Sequence, residues 1–281
     1  MNLLWAAGYP VAAIALNSGV SASLLSLVRL AVAFLMLAPF LRHVKRWNLR
    51  LLAFGAFMGI GGMTIPVWLQ SWGIHRTNPA IAALSISVEP LVTVVLAALI
   101  LRQRMTRWQK AAFGLAIVGS WILTGAPRPG QPFPLIGDVA LFVAIVGFAL
   151  FNVYSPALFT RVGAGPGAAI TFGFGAMGSL VMWELSGHPV PLSISPSIGF
   201  SLAYMAVGAT GVAYYLWLYA VGRESLSTAA LLLYAQPVLG AVISWALGQT
   251  HFTVTLVGGG LVVLAAMTIG QISRPNPRNT V

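Results

Sequence analysis

Residues 77–101 read Thr77-Asn-Pro-Ala-Ile-Ala-Ala-Leu-Ser85-Ile-Ser-Val-Glu89-Pro90-Leu-Val-Thr-Val-Val-Leu-Ala-Ala-Leu-Ile-Leu101, and this stretch decides how the whole chain must be read. It is nearly continuous in apolar residues and too long for a strand, whereas a membrane strand alternates over about ten residues. As a helix rising about 1.5 Å per residue it crosses the hydrocarbon core of a bilayer, roughly 30 Å thick. Glu89 then sits about 18 Å from Thr77, near the midplane. A carboxylate at that depth is costly, so it faces the interior of a bundle or a water-filled cavity. Pro90 removes the backbone bond to residue 86 and weakens the helix beside it.

The same grammar repeats along the chain. Apolar runs punctuated by Gly, Pro or charge predict helices over 2–17, 21–41, 49–73, 77–101, 107–125, 135–160, 164–186, 197–220, 226–248 and 253–273. Of the 281 residues 58% are hydrophobic and only 7% charged, with a mean hydropathy of +0.89. A soluble protein carries about a quarter charged residues, so a water-exposed globule of this size is excluded. With no basic region ahead of the first apolar run, we expect no cleavable signal peptide. There are 0 cysteines, which excludes disulfides, thiolate metal sites and a cysteine nucleophile. His75, His188 and His251 lack partners at ligand spacing, and we expect neither metal nor cofactor.

Fifteen bases against 4 acids invite a nucleic-acid reading, but the bases sort by loop. With the N-terminus inside, twelve of them, from Arg42 to Arg278, fall on one side; only Arg76 and Arg128 fall on the other, and Arg29 lies within a span. Short loops rich in Lys and Arg stay cytoplasmic, so both termini are expected there and nucleic acid is not expected as a partner. The Pro-rich segment Ala126–Pro134 divides the chain into halves 1–125 and 135–281. Five spans per half make the second half enter the membrane inverted relative to the first. A gapless shift of 147 residues lays 54–90 on 201–237 with nine identities, Pro90 on Pro237 among them. The third and fourth spans thereby map onto the eighth and ninth.

Under that shift Glu89 falls on Gln236, and the pair Trp68 and Trp72 on Tyr215 and Tyr219. Trp68 and Trp72 share a helix face with Thr64 at steps of four. We expect these aromatic pairs, with Glu89 and Gln236, to bind an organic substrate with a flat apolar body and a polar head. The alternative for the rings is a place in lipid or in the interfacial belt. Tyr9, Ser85 and Asn152 are further candidates, against the alternatives of a serine bonded to its own backbone and an interhelical amide bond. Gln70 lies off the Trp68 face and ranks lower. Pro90 and Pro237 are expected hinges, and Arg29 a structural or snorkelling residue, or the ionic partner of Glu89.

Leu4-Trp5, Leu24-Leu25-Ser-Leu-Val-Arg29, Glu89-Pro90, Leu99-Ile-Leu-Arg-Gln-Arg104 and Gln236-Pro237, in this order, resemble the drug/metabolite transporter superfamily and its ten-helix EamA-type exporters. Within that group the chain looks most like inner-membrane exporters of aromatic and other neutral amino acids. It departs from the usual pattern at Ala6 and Arg104. The resemblance implies two inverted five-helix repeats around a cavity lined by spans 1, 3, 4, 6, 8 and 9, with spans 5 and 10 away from it. It also implies an all-α secondary transporter of small molecules in the cytoplasmic membrane, working by alternating access. We expect it to act as a monomer, with lipid as its other partner. The rivals are an exporter of drugs or other metabolites, a passive channel, and a membrane-embedded enzyme, for which no reactive constellation is present.

Overall fold

The computed structural model describes residues 1–76, 79–102, 105–124, 135–187, 190–191, 193–221, 226–246 and 253–272; the side chains of 79–87, 123–124, 226–228, 231, 237, 241, 244, 256 and 270–272 fall outside that description, as does the predicted linker 126–134. Among the described residues every regular element is helical. In chain order these are α1 (Asn2–Asn17), α2 (Ala22–Leu37, extended by a 3-10 turn over Ala38–His43), α3 (Leu49–Ala56), α4 (Ile65–Ile74), α5 (Pro79–Ile100), α6 (Arg107–Thr124), α7 (Leu135–Val162) and α8 (Ala164–Leu185). There follow α9 (Pro196–Ala203), α10 (Ala213–Val221), α11 (Leu226–Leu233), α12 (Ala235–Ala246) and α13 (Val254–Ile272). Among the described residues, five stretches are long and apolar enough to cross a membrane: Ala22–His43, Leu49–Ile74, Leu135–Val162, Ala164–Leu185 and Pro196–Val221. Val88–Ile100 and Val257–Ile269 are shorter apolar helices. Large apolar side chains such as Leu99, Phe142, Met177, Phe200 and Leu261 point outward, as a lipid solvent allows.

Two of these long helices share an uncommon irregularity. The turns Phe57–Thr64 join α3 to α4, and Tyr204–Val212 join α9 to α10, in π-helical geometry. They begin 147 residues apart, as do the residues that cap the two rods: Asn48 accepts from the Leu51 amide at 2.8 Å and Ser195 from the Ile198 amide at 3.3 Å. A π turn leaves carbonyls poorly matched to the helical ladder. A threonine hydroxyl answers this in each rod, Thr64 reaching Gly59 O (3.4 Å) and Thr210 reaching Met205 O (2.7 Å). Each threonine also ties its rod to a neighbour. Thr64 donates to Gly175 O on α8 at 2.7 Å, and Thr210 accepts from Arg29 Nε on α2 at 3.0 Å.

Small residues allow these approaches, as they do where helices meet in lipid. A Cβ on Gly59 would fall 2.5 Å from Thr171 O and 2.6 Å from Phe174 Cβ. One on Gly178 would fall 2.6 Å from Thr64 Oγ1. Helices α2 and α8 pack together, α4 and α5 lie against α7, and α1 lies against α12. Helices α6 and α13 pair with each other to one side, through a cluster including Ala112, Ala116, Val263 and Ala266.

The two π-containing rods run in opposite directions along α2. Leu51, at the start of the first, clusters with Val44 and Leu41 at the Phe40 end of α2, whereas Trp72 lies by Ser21 and Ser23 at the other end. The second rod starts at the Ser21 end, where Ile198 packs with Val20 and Leu25, and carries Tyr215 to a stack on Phe40.

The prolines behave differently from each other. The stretch before α13 is interrupted at Tyr234, between α11 and α12, two residues ahead of Gln236. Helix α5, by contrast, passes Pro90 without interruption, which corrects the expectation of matched breaks. A proline deletes one backbone bond, and a helix survives that loss when neighbouring helices hold it in place; Pro90 is buried in the bundle.

Candidate functional site

A cavity at the centre of the bundle brings together side chains from most of the long helices. Trp5, Tyr9 and Ala12 come from α1, Arg29 from α2, Gln70 and Ser71 from α4, and Glu89 from α5. Phe148 and Asn152 come from α7, Met205 and Ala209 from the second π segment, Tyr214 and Trp217 from α10, and Leu233 and Gln236 from α11 and α12. No described residue of α6 or α13 lines it.

The polar groups of this cavity fall into two sets. One set is locked. Gln70 Nε2 donates to the Tyr9 hydroxyl at 2.8 Å, and the Trp217 indole donates to Asn152 Oδ1 at 2.9 Å. Asn152 Nδ2 reaches Thr93 Oγ1 at 3.4 Å, and the Trp5 indole donates to Ala209 O at 2.8 Å. The other set is open: Glu89 and Gln236 hydrogen-bond to no described residue, although both line the cavity. Arg29, only 5% exposed, spends Nε on Thr210 and keeps its two terminal amino groups without a described partner. No ion pair joins Arg29 to Glu89, so the expected pairing of these two is not found. Arg29 and Glu89 line the same cavity, together with Tyr9 and Tyr214.

The apolar wall is aromatic. Trp5 meets Tyr214 edge-on at 5.1 Å between centroids and Trp217 at 6.0 Å. Tyr214 in turn packs edge-on against Phe151 and Phe172. Toward the Phe40 end the first turns of α1 are tied down, Asn2 Nδ2 to Leu232 O at 2.7 Å and the Tyr204 hydroxyl to Leu4 O at 3.0 Å. Toward the Ser21 end lies a second space lined by Val20, Ser21, Ser23, Trp68, Trp72, His75, Arg76 and Ser186. Ser71 borders both spaces.

Of the residues singled out from sequence, Glu89, Gln236, Tyr9, Asn152 and Arg29 meet in the central cavity. The aromatic pairs do not join them. Trp68 and Trp72 stack on each other at 6.1 Å in the second space, with the Arg76 guanidinium 4.1 Å over Trp72. Tyr215 stacks on Phe40 at 6.0 Å and Tyr219 is 52% exposed, both outside the cavity. Two physical reasons explain the difference. Rods that run oppositely carry equivalent positions to opposite ends unless those positions lie near the middle; Glu89 and Gln236 do, Trp68 and Tyr215 do not. The face toward the centre is also two residues further along: Gln70, not Trp68, lines the central cavity, and its equivalent at a 147-residue shift is Trp217. A glutamine inside an apolar run was the signal for that face. Neither Trp5 nor Tyr214 carries such a signal. The side chains of Ser85 and Pro237 lie outside the described residues.

The model of the EamA-like transporter family matches residues 1–125 and 135–270. The chain belongs to this family, and is thus a multi-pass membrane protein that transports small molecules and is not an enzyme. It is 28% identical to a probable terminal-alkyne amino-acid exporter of Streptantibioticus cattleyicolor, over 95% of this chain and 90% of that one. It is 24% identical to the biotin transporter of Salmonella typhimurium over the same shares, and 26% identical to an uncharacterized transporter of Bacillus subtilis, YyaM, over 89% and 84%. A solved crystal structure at 20% identity superposes with a TM-score of 0.77, covering 96% of this chain and 95% of that one.

Proposed function

We propose that the protein is a secondary transporter that exports neutral amino acids, aromatic ones among them, across the cytoplasmic membrane by alternating access. The observation that carries this reading is the central cavity itself: an aromatic wall of Trp5, Tyr214 and Trp217 facing polar groups, Glu89 and Gln236, that hydrogen-bond to no described residue. Buried polar groups are almost always satisfied. An open carboxylate and an open amide in a cavity therefore favour a ligand with an ammonium or hydrogen-bonding head and an apolar body. The similarity to an amino-acid exporter points the same way.

In this reading the chain makes ten spans as two inverted five-helix repeats, 1–125 and 135–281, with both termini in the cytoplasm. The Ser21 end then faces outward, and the structure is a state with its vestibule outside. Conversion to the inward state breaks the ties of Asn2, Leu4 and Trp5 to the second half, while the π segments and the break at Tyr234 absorb the bending. Purified protein in liposomes tests the proposal. Saturable counterflow of phenylalanine or leucine, competed by other neutral amino acids, is the expected result. Linear, uncompeted flux makes it a channel instead, and saturable transport of biotin or a drug with none of amino acids moves it to another branch of the family.

A further inference from the structure

We infer that Arg29 and Glu89 form the two ends of a clamp for a zwitterion, Arg29 holding the substrate carboxylate and Glu89 its ammonium. This rests on the amino-acid reading above and assigns to Arg29 a recognition role beyond helix packing.

The two charges line one cavity, yet they do not pair with each other. Unpaired opposite charges at membrane depth are costly, and a direct ion pair is their ordinary resolution. Here Arg29 is held away from Glu89. Its Nε is fixed by Thr210, whose hydroxyl is itself anchored on Met205 O within the second π segment. The fork beyond Nε is then presented at a fixed place, and a guanidinium fork matches a carboxylate with two parallel bonds. The same rod carries Tyr214 and Trp217, so the carboxylate end is set in register with the aromatic wall. Glu89, on α5, supplies the opposite charge. A zwitterion neutralises both charges at once. A bare amine leaves the guanidinium alone, and a bare carboxylic acid leaves the carboxylate alone. Sites that hydrogen-bond a group reject the analogue that lacks it strongly, because their own polar atoms are then stranded.

The test uses the full chain and three probes of one body: phenylalanine, phenylalaninamide (ammonium end only) and 3-phenylpropionate (carboxylate end only). Binding is followed by tryptophan fluorescence in detergent, and phenylalanine counterflow in liposomes. The expected wild-type order is phenylalanine tighter than either analogue by at least about tenfold. Arg29→Gln should weaken phenylalanine and phenylpropionate by at least about tenfold and leave phenylalaninamide within about twofold. Glu89→Gln should do the reverse, weakening phenylalanine and phenylalaninamide only. Arg29→Lys, which keeps the charge and loses the fork, should recover part of the phenylpropionate binding. An Arg29 that merely packs helices weakens all three probes together, and that result overturns the clamp. Should Arg29→Gln fail to fold, the wild-type order and Arg29→Lys still decide: a wild type that binds phenylalaninamide as well as phenylalanine rules the clamp out. Saturable phenylalanine counterflow without discrimination among the probes removes the clamp and leaves the transport reading in place. Neither binding nor counterflow of any neutral amino acid removes both.

Discussion

Glu89 and Gln236 share a position 147 residues apart, yet only one of them can be charged. The asymmetry is chemically useful in a cavity that already holds Arg29, because two carboxylates there would repel each other and bias the site toward cations. Glu89→Gln is expected to lower amino-acid flux at least about tenfold, since a hydrogen bond to a charged group contributes about 1.5–3 kcal/mol. Proteoliposome counterflow, with elution volume as the check on folding, measures this. If the variant keeps full pH-driven accumulation, Glu89 carries no proton. Asn152 acts differently, through the cavity wall. Asn152→Ala strands the buried Trp217 indole N–H at a cost of about 1–3 kcal/mol, seen as a lower melting temperature in detergent. Replacing Trp217 by Phe in the same protein should return part of that loss, because both partners of the bond are then gone.

At the scale of elements, the two π-containing rods set the architecture. Their turns admit a threonine hydroxyl to the backbone, and in the first rod Gly59 lets α8 approach to backbone contact. Gly59→Leu should destabilise the fold by about 1–3 kcal/mol, because overpacking forces shifts that a helix pair in contact cannot absorb cheaply. Gly114→Ala on α6 has nothing within 4 Å of the new Cβ. It is expected to be neutral or slightly stabilising. Thermal unfolding of the two variants side by side checks the contrast; equal losses would mean that the close approach at Gly59 contributes nothing special. Part of this was legible in advance. The 147-residue period, with its identities at Ala56, Met58 and Gly61, is visible in the sequence. The π turns are not, because an i→i+5 pattern differs from an i→i+4 one by a single residue, and no residue type marks it.

For the molecule as a whole, the proposed orientation makes the Ser21 end external and the Phe40 end cytoplasmic. The chain has 0 cysteines, so single substitutions report without interference. Trp72→Cys and Arg76→Cys should react with a membrane-impermeant maleimide added outside intact cells, and Lys45→Cys only after the membrane is opened. The opposite pattern would reverse the orientation and turn the vestibule toward the cytoplasm.

Composition and periodicity alone determined that lipid is the solvent and that the chain is helical, and they set Glu89 and Gln236 within apolar runs. Those properties follow from local hydropathy and from counting residues along a helix, and neither needs a neighbour. Which rings face the substrate space was decided only by tertiary structure. Tyr214 and Trp217 face it, while Tyr215 and Tyr219 do not, because a face depends on the phase of the helix past its π turn and on what packs beside it. The place of Arg29 was likewise beyond the sequence: its partner Thr210 lies 181 residues away, and only the packing of α2 on the second rod brings the two within 3.0 Å.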